Sequence, residues 1–242
     1  MRLNPFQRLA HIPRYREVAN ILIKHGFGFI FDRISPGKLK KAEQHELRGV
    51  SAARELRQAF EELGPTYVKL GQLLSTRPDL IAPEYIREFE KLQDDVPPIS
   101  YAEVRSVCAD EDIDIDEAFT SFNHEPLAAA SIAQVHEAML KDGQKVVVKV
   151  QRPGIERQIQ TDLQILMEIA RILEKRTDWG QLYRVTEIVD ELGEAIINEV
   201  DCTKEARNAD IFYNNFRKHE HVIIPEVYWE YSSKKILTPE YV

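Results

Sequence analysis

Between residues 135 and 150 the chain reads VHEAMLKDGQKVVVKV, two apolar-rich runs on either side of KDGQ. Glycine takes up positive φ without a Cβ clash, so Asp142-Gly143 turns the chain and the flanking runs pair as an antiparallel hairpin. The spacing predicts strands over 135–140 and 145–150. An all-helical chain is thereby excluded, and the rest of the sequence has to supply something that covers this hairpin.

Most of the remainder has helical spacing. From about residue 13 to 110 the apolar positions recur as on helices: 40–63, charged and alanine-rich and stopped by Gly64-Pro65, then 66–76 and 83–93. DDVPP (94–98) reads as an extended linker, since its two prolines remove backbone donors. Ser100 followed by Glu103 forms a capping-box signature for a short helix. After the hairpin, 155–176 and 183–216 return to helical spacing, the second as one run despite Gly193, and 222–242 alternates around YSSK as another hairpin. The expected fold class is α+β, with a helical portion over 1–120 and a sheet portion over 121–242 that carries an inserted helix near 155–176.

At 242 residues and 43% apolar, the chain buries a real core. Cys108 and Cys202 are too few and too distant to build a disulfide framework or metal cluster, so two reduced thiols are expected. No stretch has the ~18 apolar residues of a spanning helix, and the basic start lacks a signal-peptide core. The expected location is cytoplasmic or peripheral on the inner membrane face. The net charge of −8 is uneven: residues 1–60 hold twelve Lys and Arg against five Asp and Glu, which leaves −15 on the remainder. The basic segment interleaves Phe6, Ile12, Val18, Ile21, Leu22, Ile23, Phe27, Phe29, Ile30 and Phe31. Such a helix lies on an anionic membrane or packs its apolar face on its own protein. A nucleic-acid partner is not expected, because the acidic remainder repels phosphates.

Three groups of residues carry chemistry. Lys149 stands alone in VVVKV, where an ammonium meets phosphate oxygens if a carboxylate on a following helix holds it; an edge-strand lysine reaching for water has the same spacing. In NEVDCTKEARNA, Asp201, Glu205 and Asn208 share one helical face while Glu199 points elsewhere, although a solvated charged face reads alike. In PTYVKLGQLLST, Thr66, Lys69, Gln72 and Thr76 run down a polar face opposite Tyr67, Leu70 and Leu74, as on any amphipathic surface helix. The hairpin opens with Ala128, Ala129, Ala130 and Ser131, where a phosphate-cradling loop carries glycines.

KLGQ (69–72), AAASIAQVH (128–136), VVVKVQRPG (146–154) and NEVDCTKEARNA (198–209), in this order, closely resemble the UbiB/ADCK family of atypical protein-kinase-like proteins, associated with ubiquinone biosynthesis. Each motif alone is weak; four in series are specific, and the likeness covers most of the chain from about residue 40. The resemblance implies a kinase-like N-lobe, an antiparallel sheet with an αC-type helix, preceded by a family-specific helical extension. It places Lys69, Gly71 and Gln72 in the regulatory KxGQ motif of that extension, which folds across the cleft. Ala128, Ala129, Ala130 and Ser131 become the nucleotide loop, Lys149 the phosphate-binding lysine, and Glu205 its partner. Glu199 and Asp201 become the ExD motif near the metal-nucleotide site. ILTPEYV (236–242) looks like a hinge, with backbone groups of Glu240 and Val242 on adenine.

The resemblance implies ATP or ADP with Mg²⁺ as cofactors, with Lys149, Glu205 and Lys69 as the catalytic set. It implies a role in ubiquinone or isoprenoid-lipid handling, with nucleotide, an anionic membrane surface, isoprenoid lipid or quinone-biosynthesis proteins as partners. No catalytic-loop Asp and Asn or second metal-binding Asp follows the hinge, so this stretch is expected to lack the C-lobe, to bind nucleotide weakly and to be inactive alone. Two other readings are a nonenzymatic membrane- or lipid-binding scaffold and an ordinary protein-kinase lobe; Lys69 and the alanine loop disfavour the latter.

Overall fold

The computed structural model describes residues 12–28, 50–92 and 96–242. The chain forms two compact units, Met1–Gln93 with Arg157–Ile196, and Asp94–Glu156 with Ile197–Val242.

The first unit is helical. Helices α1 (Ile12–Lys24), α2 (Val50–Leu63), α3 (Pro65–Ser75) and α4 (Pro83–Phe89) precede the linker. Helix α7 (Ile155–Arg176) from Arg157, α8 (Asp178–Tyr183) and α9 (Val185–Val200) as far as Ile196 complete it. Proline opens α3 and α4, as suits a first turn whose N–H has no partner in the helix. Within 12–28, Val18, Ile21, Leu22 and Phe27 are buried, so this apolar face packs on the protein itself. Phe6, Phe29, Ile30 and Phe31 lie outside the described residues, as do residues 40–49 of the helix expected over 40–63. Among the described residues no helix is long and apolar enough to cross a membrane.

A buried ion pair ties this unit together. Asp162 on α7 is fully buried and accepts from Arg14 Nε at 2.7 Å and Nη2 at 3.0 Å. The same Arg14 Nη2 donates to the Leu63 carbonyl at the end of α2, at 2.6 Å. Thr66, placed by its spacing on a polar surface face, is instead fully buried because its hydroxyl donates to Asp162 Oδ2 at 2.8 Å. Burial opposes the Arg14 charge, but hydrogen bonds to Asp162 and Glu17 outweigh it and raise the guanidinium pKa.

The second unit is a sheet covered on one face by α5 (Tyr101–Asp110) and the short α6 (Ile115–Ala118). Its strands are β1 (Phe119–Phe122), β2 (Ala128–Ala129), β3 (Ala133–Leu140), β4 (Lys145–Gln151) and β5 (Ile236–Leu237), all pairing antiparallel. The order is β1-β3-β4-β5; β1 pairs with the end of β3 and β2 with its start. The capping box at Ser100 and Glu103 forms as expected. Spacing groups α5 with the helical first half, but its Val104, Val107 and Cys108 bury against Ala138, Leu140, Val146, Val148, Val150 and Ile236, so the sheet unit begins well before residue 120. Cys108 and Cys202 are free and buried, and burial raises both thiol pKa values, that of Cys108 to about 12.

The hairpin turn is a three-residue loop. Gly143 N donates to the Leu140 carbonyl at 3.0 Å and Leu140 N to the Gln144 carbonyl at 2.9 Å, with Gly143 at φ 89°. The terminal hairpin expected over 222–242 is reduced to a bridge between Val227 and Pro239 around a 3₁₀ turn, Trp229–Tyr231.

Asp162→Ala leaves the Arg14 guanidinium and the Thr66 hydroxyl without their buried partner. It is expected to cost about 3 kcal/mol or more, read as a lower urea midpoint for loss of helical signal, with Asp162→Asn in between. An unchanged midpoint would contradict the assignment.

Candidate functional site

Sheet register builds the site in the second unit. Ala128 pairs with Val135, Val135 with Lys149 and Lys149 with Leu237, one row across four strands. Paired residues point to the same face, and strand side chains alternate, so Val147 and Gln151 share the face of Lys149. Val146, Val148 and Val150 occupy the other face, essentially fully buried against α5. Burying those three valines forces Lys149 onto the face opposite α5, beside the half-buried Val135 and Val147.

Helix α10 (Cys202–Phe216) supplies the counter-charge. The spacing predicts one helix over 183–216, but the structure breaks it at Asp201, which leaves the helical conformation and caps α10. Asp201 Oδ1 accepts from Thr203 N at 3.0 Å and Thr203 Oγ1 at 2.6 Å; the Thr203 hydroxyl bond is the main reason its carboxyl pKa falls. Cys202 and Ala206 bury on Val227 and Leu237, so the first turn of α10 faces β5. Glu205 Oε2 then meets Lys149 Nζ at 2.6 Å, with side chains 50% and 30% exposed. An ion pair this open adds little stability; its effect is to hold the ammonium in one place.

The alanine loop lies on the same sheet. Ala128 and Ala129 form β2, Ala130 N donates to the Ala133 carbonyl at 2.8 Å, and Ser131 is buried. The positive-φ non-glycine residues among those described are Asp112 and Arg184, so the loop holds conformations that alanine accepts without strain. Arg152, just past β4, fastens it: Nε donates to the Ala130 carbonyl and Nη2 to the Pro97 carbonyl, both at 2.8 Å.

At the end of the chain, Val147 N donates to the Pro239 carbonyl and Tyr241 N to the Lys145 carbonyl, each at 3.0 Å. Glu240 N donates to the Glu226 carbonyl at 2.8 Å, which narrows its expected adenine contact to its carbonyl; Val242 is 72% exposed. Glu199 is exposed near the end of α9, two residues before the capping Asp201. Among the described residues no three His, Cys, Asp or Glu are grouped to hold a metal ion.

Lys69, Gly71 and Gln72 lie on α3 in the other unit. Lys69 is half-buried. A Cβ on Gly71 would sit 2.3 Å from Leu92 Cδ1 and 3.0 Å from Phe60 Cδ2, so glycine here permits close packing. Gln72 Nε2 donates to the Leu92 carbonyl at 3.2 Å. Two of the three motif residues thus hold Leu92, the last described residue before the linker. The sequence reading missed Val135, Val147, Gln151 and Arg152 as site residues. Counting by twos from Lys149 finds Val147 and Gln151; Val135 and Arg152 need the register and the fold.

These features define a kinase-like N-lobe with attached helices. The family model for the ABC1 atypical kinase-like domain matches residues 91–242, and the chain belongs to that family. It is 44% identical over 192 residues to "Probable protein kinase UbiB" of Cellvibrio japonicus, covering 79% of this chain and 35% of that protein. It is 41% identical over 209 residues to the chloroplastic "Protein ACTIVITY OF BC1 COMPLEX KINASE 8" of Arabidopsis thaliana, covering 83% of this chain and 26% of the relative. Among solved structures, the Rv3197–erythromycin complex from Mycobacterium tuberculosis matches with TM-score 0.55 and 31% identity, over 79% of this chain and 48% of that one. The chain therefore spans about a third or less of these two curated relatives and about half of the solved chain.

Gly71→Ala is expected to destabilise the helical unit by about 1 kcal/mol, because overpacking against the buried Leu92 outweighs the gain in helix propensity. A urea melt that shifts upward would refute that reading of the motif glycine.

Proposed function

We propose that this chain is the nucleotide-binding N-lobe, with its helical extension, of an atypical kinase-like ATPase that binds ATP or ADP and supports ubiquinone or isoprenoid-lipid metabolism. The observation that carries the reading is the Lys149–Glu205 pair at 2.6 Å, in register with the alanine loop. An ammonium fixed on a strand suits phosphate oxygens as a point charge, and a glutamate on a neighbouring helix keeps it from swinging to water. The half-buried Val135 and Val147 offer an apolar face to a base, and the Glu240 carbonyl is an acceptor for its amino group. Lys69 and Gln72 belong to this reading as regulatory positions, and Lys69 as a member of the catalytic set; Gln72 acts through its hold on Leu92.

Nucleotide fits this donor set; a resident metal ion does not. Asp201 is turned to Thr203, and the pair Glu199 and Asp201 gains no third ligand among the described residues. Mg²⁺ favours one or two carboxylates together with substrate phosphates, so the ion would come with the nucleotide. The link to quinone metabolism rests on kinship with the UbiB-type relatives.

Isothermal titration of the chain with MgADP tests the reading. Lys149→Met is expected to weaken binding by about tenfold or more, the worth of a charge-assisted hydrogen bond, and Glu205→Gln by less. Equal affinity in wild type and Lys149→Met would remove the nucleotide site from this face.

A further inference from the structure

Gln151 is 2% exposed, yet it carries an amide and lies two residues beyond Lys149 on the same strand face. Its Nε2 donates to the Val200 carbonyl, and the Lys234 carbonyl and Cys202 Sγ lie at 3.3 and 3.5 Å. Val200 ends α9, so its carbonyl has no helical partner and the glutamine supplies one. Cys202 N, at the start of α10, donates to the same Lys234 carbonyl at 3.0 Å. One buried amide thus grips three segments at the point where the expected long helix breaks.

We infer that Gln151 is a positioning residue, whose amide fixes the start of α10 and thereby sets the meeting of Glu205 with Lys149. Apolar packing of Cys202 and Ala206 on Leu237 and Val227 holds the helix against the sheet but is not directional; the directional ties are the Gln151 amide, Cys202 N on the Lys234 carbonyl and Trp229 Nε1 on Asp210 Oδ2 at 2.7 Å. A slide of one residue's rise, about 1.5 Å, takes a 2.6 Å ion pair to the limit of direct contact. Of the directional ties, the Gln151 amide is the one that comes from the strand of Lys149, so it sets the start of α10 directly against that strand. The inference rests on the geometry of the pair and does not depend on nucleotide binding.

Acetylation of Lys149 with an N-hydroxysuccinimide ester, followed by peptide mass spectrometry on the whole 242-residue chain, reads the pair directly. Glu205→Gln releases the ammonium and is expected to speed modification by about two- to fivefold, the worth of an exposed ion pair. Gln151→Met, similar in volume but without the amide, is expected to give a comparable increase, and the double variant no further increase. Lys141 on the hairpin turn should react at one rate throughout, and melting curves report folding. If Gln151→Met melts the fold, Gln151→Asn carries the test, since it keeps a buried amide too short to span the same acceptors. A wild-type Lys149 rate in the folded Gln151 variant, or effects of the two substitutions that multiply independently, would overturn the inference.

Discussion

Everything in the sheet unit follows from the alternation of β4. Val146, Val148 and Val150 need a dry face and find it against α5; the period of two then fixes Val147, Lys149 and Gln151 on the other. A one-residue slip would send the lysine into the core and the valines to water, so the buried face enforces the register. With the register fixed, Lys149 lies opposite Val135 and, one strand further, Ala128. The charge is therefore positioned by hydrophobic burial on the opposite face of the strand.

The alanine loop extends the same logic. Glycine suits a loop that must enter positive φ; this loop does not, and Ala128 to Ser131 sit in a backbone path open to any residue. A loop of alanines samples fewer conformations than one of glycines, and Arg152 restricts it further through the Ala130 carbonyl. The same guanidinium holds Pro97 within the linker, and Gln134 exchanges hydrogen bonds with the backbone of Ile99 just after it, so the end of the linker is secured beside the loop. In the helical unit Gln72 holds Leu92, just before the linker.

Local signals were legible in the sequence and long-range ones were not. The capping box at Ser100 and Glu103, the turn glycine at 143 and the lysine in a run of valines each depend on neighbours within a few residues. The partnership of Lys149 with Glu205, across 56 positions, came from the family resemblance, and the structure places the two in contact. The break at Asp201 carries no glycine or proline to announce it; there Asp201 caps α10 through Thr203, and the Gln151 amide, 49 residues before Val200, meets the carbonyl that ends α9. Thr66 reads as a surface residue until Asp162, 96 positions on, draws its hydroxyl inside. Gly71 reads as part of a functional motif, and the structure adds a packing reason for it in Phe60 and Leu92.

The central claim is that the face bearing Lys149 receives the phosphates of a nucleotide. A crystal structure of the chain with MgADP tests it most directly. The account places the phosphate oxygens within hydrogen-bonding distance of Lys149 Nζ, beneath Ala128 to Ser131, with the base against Val135 and Val147 and its amino group on the Glu240 carbonyl. Nucleotide bound elsewhere, with the Lys149–Glu205 pair untouched by phosphate, would contradict it.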